Sequence, residues 1–233
     1  MKHFHLWSHE TRGAGPAALI TPPALALTAV LLGLLAPRIG AREPVAARLL
    51  LGVAEMGVPL LTGLLAASLV GGDRAAELRL SLPSPYRATV LRRVAVTVGW
   101  AGLCALPVLA LLSARDWWRL LPVSPGVLAG QLVWLSPTLW LTALGLLAWT
   151  LSRSTVAAAA TVALVWLAGL TLFGVSGGGT VPGPLDLFAT TRGVAEESWL
   201  PNRLLLLVSA VPLAVAAWLL LGNDERVLGG GER

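Results

Sequence analysis

Glu55, in the stretch "VAEMGVPLL", is the one acidic residue inside a long apolar run of this 233-residue chain. An ionisable group at bilayer depth is costly and marks a functional or paired position. Two readings follow. Either the acid is hydrogen-bonded or protonated and reaches outward to the membrane surface, or it serves a substrate path or a helix–helix contact. Arg48, seven residues earlier, falls on roughly the same helix face. A proton-coupled carrier relies on several buried ionisable groups, and a single acid gives that class little support.

Other chemistry is scarce. His3, His5 and His9 all precede the first apolar run, and their spacing with Glu10 matches no standard metal site. That segment, 1–16, reads as an N-terminal interfacial helix with Phe4, Leu6 and Trp7 against lipid. Cys104 is the single cysteine, so no intrachain disulfide or cysteine cluster is available. The only lysine is Lys2, and Gly177-Gly178-Gly179 has none after it, so the chain has no P-loop. The sequence therefore predicts no catalytic residue, metal or cofactor of its own. The pI near 10.9 reflects a net charge of only +5, suited to anionic lipid rather than nucleic acid.

The elements that position Glu55 are apolar. The chain is 56% hydrophobic and 12% charged, with mean hydropathy +0.77; a soluble domain carries about 25% charged residues. A span needs about 20 apolar residues. The runs predict an all-α polytopic membrane protein forming a single transmembrane domain. Its six helices are expected at about 17–36, 46–71, 88–113, 124–151, 154–175 and 201–222. The first run exceeds a signal-peptide core and is read as a retained span.

Six spans put both termini on one side. Placing them in the cytoplasm assigns ten basic residues to inner segments, against Arg38, Arg42, Arg48, Arg115, Arg119, Arg192 and Arg203 outside. Trp117, Trp118 and Trp199 then sit at the outer interface, whereas Trp134, Trp140, Trp149 and Trp166 suit core packing. Gly126 and Gly130, spaced as G-x-x-x-G, suit either close helix contact between membrane subunits or packing within one.

Between the second and third spans runs "GGDRAAELRLSLPSPYRATVLRR", which concentrates five arginines and two acids. Asp73 can cap a helix. Leu78 and Leu82 share one face, with Glu77 and Ser81 on a neighbouring polar stripe. Pro83 and Pro85 end the helix and stiffen its exit. Residues 73–86 are thus expected to form a short amphipathic cytoplasmic helix. Residues 176–200, opening on the breaker run "VSGGGTVPGP", form either an outer loop or a re-entrant segment. The tail "NDERVLGGGER" reads as a solvated end.

The stretch Glu55 to Arg93 resembles the membrane subunit of ABC-2-type transporters. That family has a Glu-containing second span, an "E-L-x-L-S-L-P" segment, and a tyrosine and basic residues opening the third span. The matching residues are Glu77, Leu78, Leu80, Ser81, Leu82 and Pro83, then Tyr86, Arg87, Arg92 and Arg93. The resemblance implies a bacterial cell-membrane permease that exports an apolar or amphipathic solute. Asp73, Arg74, Glu77, Leu78, Arg79, Leu80, Ser81, Leu82 and Pro83 would dock on a separate ATPase subunit, which carries ATP and Mg. A second membrane subunit, identical or not, would complete the path. A stand-alone secondary carrier, or a non-transporting membrane anchor or immunity component, is the alternative.

Overall fold

The computed structural model describes residues 15–71, 86–126, 128–175 and 185–222, which form helices joined by short turns. Asp73 to Pro83, the expected docking helix, lies outside the described residues, as do the three histidines and the tail from residue 223. Helix α1 is Gly15–Leu35. A continuous rod follows, built of α2 (Glu43–Gly52), a π-helical turn (Val53–Gly57) and α3 (Val58–Gly71). Then come α4 (Tyr86–Ala114), α5 (Leu132–Ser152), α6 (Thr155–Val175), the one-turn α7 (Ala189–Arg192) and α8 (Glu196–Leu221). No strand occurs among the described residues.

Five helical stretches are long and apolar enough to cross a membrane: Leu19–Ile39, Glu43–Val70, Arg87–Ala114, Ala129–Ser152 and Glu196–Leu221. Helix α6 contributes a shorter apolar stretch, Thr155–Thr171. This is the architecture of a membrane-spanning helical protein, with the backbone bonds satisfied inside each segment as lipid requires.

The rod and α5 pack most extensively, with α6 and α8 also lying against α5. Glycine permits the close approach. A Cβ at Gly145 would lie 2.6 Å from the Gly63 carbonyl oxygen, and one at Gly63 would lie 3.1 Å from the Leu141 carbonyl oxygen. Gly126 and Gly130 lie away from this contact within the chain. They precede α5, in a turn where the Gly130 N–H donates to the Gly126 carbonyl at 2.7 Å.

Two aromatic expectations change. Trp117 and Trp199 are buried against protein, at 2% and 3% exposure, rather than presented at an outer surface. Trp134 and Trp149 are buried in the core, as their surroundings in sequence suggest.

Candidate functional site

Glu55 lies in the π-helical turn, 12 residues after Glu43, so about 18 Å along the rod. Single π turns inside helices often mark functional positions. Here the wide turn closes with the Val58 N–H donating to the Val53 carbonyl. The Met56 carbonyl in the same turn accepts from Trp166 Nε1 of α6 at 3.1 Å. The turn therefore carries bonds to a neighbouring helix as well as its own ladder.

The Glu55 side chain is fully buried and holds four donors. Oε1 accepts from the Thr190 N–H at 2.8 Å and from Arg203 Nη2. Oε2 accepts from the Thr191 N–H at 2.6 Å and from the Thr191 hydroxyl. A carboxylate offers about four lone-pair sites, so its capacity is filled. Two of these donors are free N–H groups in the first turn of α7, which a carboxylate satisfies both by hydrogen bonding and by the helix dipole. The acid thus caps a helix 135 residues away in sequence.

Arg203 supplies the countercharge. Helix α8 starts at Glu196, where Glu196 and Glu197 complement its positive end. Arg203 is therefore seven residues inside a helix and fully buried, not a loop residue at the head of a span as the sequence suggested. Besides Glu55 it donates to the Thr190 hydroxyl at 3.0 Å and to the Leu187 carbonyl at 3.2 Å. Trp199, one turn earlier, places its ring 5.9 Å from the guanidinium and donates to the Thr190 hydroxyl at 2.8 Å. The expectation that Glu55 reaches outward fails for this reason. An inward partner satisfies it, and Arg48 stays exposed without an ion pair to it.

A second set of bonds fixes the same segment. Asp186 accepts from the Phe188 N–H at 2.9 Å and pairs with Arg192 at 2.7 Å. Arg192 also donates to the Gly169 carbonyl of α6. The Asn202 amide pairs with the backbone N–H and carbonyl of Asp186, at 3.2 and 3.1 Å. Leu187 and Phe188 pack with Leu141, Val162 and Leu206. Gly193 ends α7 with φ +73°, and a Cβ there would meet Pro122 at 2.8 Å, so both backbone and space call for glycine.

Residues 185–193 are thus largely irregular backbone held inside the bundle by α2, α6, α8 and the π turn. Such backbone is tolerated at membrane depth where protein buries it. The arrangement is built to hold a segment in place. No group of three or more His, Cys, Asp or Glu converges among the described residues.

Of the residues the sequence offered as candidate site residues, Glu55 lies at this centre, and Asp73 to Pro83 lie outside the described residues. Thr190, Thr191 and Arg203 were not anticipated as its partners, nor was the Asp186–Arg192 pair beside them. The one signal available was Arg203 standing directly before the uncharged run that begins at Leu204. No protein-family model, curated protein or solved structure matches the chain.

Proposed function

We propose that the chain is the membrane-spanning permease subunit of an ABC-2-type exporter, working with a separate ATPase and a second membrane subunit. Its cargo is an apolar or amphipathic solute, in keeping with spans that carry few charges. One observation supports this reading best. The α2–π–α3 rod leads at one end into the charged stretch after Gly71, and 16 residues earlier it grips residues 185–193 through Glu55. That separation is about 24 Å of helix. A push delivered to Asp73–Pro83 would travel along the rod to the segment that Glu55 holds. The filled hydrogen-bond capacity of Glu55 weighs against a proton carrier, which must exchange a proton at its buried acid.

The test is purification of the full chain from its own membranes in mild detergent. The expected particle holds two membrane subunits and two P-loop ATPase chains. The double substitution Glu77→Lys with Arg79→Glu should leave membrane insertion intact and strip the ATPase or uncouple its hydrolysis, because losing buried interface charge pairs costs about 2–5 kcal/mol. An active single chain with no ATPase, or unchanged co-purification and transport in the double variant, overturns the proposal.

A further inference from the structure

A second feature lies away from Glu55, where α4, α5 and α8 enclose an apolar groove of about 300 Å³. That volume is at the lower end of the range for small-molecule sites. Among the described residues Arg87 and Thr142 bring the polar side chains to its lining. Its rim is open, with Leu91 and Val211 exposed at 56% and 60%. On α8 it runs from Leu207 to Leu221, 14 residues or about 21 Å of helix. One leaflet of a bilayer core is about 15 Å thick, half of the whole. The groove therefore reaches from the end of the bundle past the depth of one acyl chain.

Charge sits at one end of it. Arg87 holds its guanidinium 5.2 Å from the centroid of the Trp218 ring, and no ion pair among the described residues involves it. Arg92 and Arg93 follow on the same helix, and Arg153 ends the neighbouring α5. The last turn of α8 closes against this region, where Val70, Val90, Trp149 and Leu221 pack together. Among the described residues no Asp or Glu stands there. An apolar slot of leaflet length, with a guanidinium at its mouth that meets no countercharge among the described residues, is complementary to an amphiphile with a negative head. A neutral or cationic head would add no countercharge for Arg87.

We infer that this groove binds an anionic phospholipid of the surrounding bilayer, one acyl chain lying along α8 and the phosphate on Arg87. An arginine presents a planar fork of donors to phosphate oxygens. The ring of Trp218 holds that fork by its π face and leaves its edges available. This inference does not depend on the transport reading, since a lipid can hold α4 and α8 together in any membrane protein of this shape.

The experiment is native mass spectrometry of the delipidated full-length chain, titrated in detergent with dioleoyl phosphatidylglycerol or dioleoyl phosphatidylcholine. The wild type should retain one phosphatidylglycerol with at least about tenfold preference, the difference expected from one charge-assisted contact. Arg87→Gln should abolish the preference. Arg153→Gln, which removes the same charge from an exposed position, should keep it. Ala214→Phe fills the groove from an exposed position and should abolish retention of both lipids. Val211→Trp serves the same purpose if Ala214→Phe fails to fold, with folding checked by thermal unfolding in the same detergent. Equal retention of the two lipids by the wild type overturns the inference, as does full preference in Arg87→Gln or full retention in a folded groove-filled variant. A dimer that excludes phosphatidylglycerol would show a second copy of the chain to be the occupant instead.

Discussion

Glu55 and Arg203, 148 residues apart in sequence, form an ion pair with both side chains wholly removed from solvent. Such a pair is expensive to assemble, because each ion loses its hydration. It persists here because every oxygen of Glu55 is satisfied and because Arg203 has further acceptors at Thr190 and Leu187. Breaking the pair from one side strands the other charge, at about 3–5 kcal/mol. Arg203→Gln and Glu55→Ala should each lower unfolding stability in detergent by that order. Glu55→Gln should cost less than Glu55→Ala, since its amide still accepts at one atom. In transport assays Glu55→Ala should likewise lose more than Glu55→Gln. Combining Glu55→Gln with Arg203→Gln should recover part of the single losses, and strict additivity would refute direct coupling.

The Thr190 hydroxyl accepts from both Trp199 and Arg203. Thr190→Val keeps the shape and leaves two buried donors short of an acceptor, at about 1–3 kcal/mol. Thr190→Ser keeps the oxygen and should stay within about 1 kcal/mol of wild type. Chemical unfolding of both variants checks this. Equal stability would show that the hydroxyl contributes nothing.

Arg192 bridges Asp186 and the Gly169 carbonyl, joining residues 185–193 to α6. Lysine offers a point charge where the site uses a fork with two separated donors. Arg192→Lys should therefore loosen the segment almost as much as Arg192→Ala. The readout is thiol labelling of a cysteine placed at Thr191, in a background with Cys104 replaced by Ala. Faster labelling in both variants is expected, and protection preserved in Arg192→Lys would show that charge alone suffices.

The rod and α5 touch through Gly145 and Gly63. Gly145→Ala drives a methyl into the Gly63 carbonyl and should cost about 1–3 kcal/mol through overpacking. Gly99→Ala in α4 has nothing within 4 Å of the new methyl and should be neutral or gain up to about 1 kcal/mol from reduced backbone freedom. Thermal unfolding of the two variants separates packing from propensity. A similar change in both would refute the close approach.

The helical membrane architecture is legible in the residue types alone. Long uncharged runs have few structures open to them in lipid, and "LSRST" at 151–155 and the breakers near 176–184 punctuate those runs through local chemistry alone. The sequence also isolated Glu55, because a lone acid in an apolar run stands out against its neighbours. What it left open was the partner. Arg203 borders an apolar run, and nothing in its neighbourhood tells a loop charge from one buried seven residues into a helix. Thr190 and Thr191 are ordinary in composition, and only the closing of α7 turns their N–H groups toward an acid from another helix. The close contact at Gly63 and Gly145 was hidden too, since helix proximity is set by how the rod crosses α5. Charge pairing and backbone approach are relations between distant residues, and packing the helices together is what creates them.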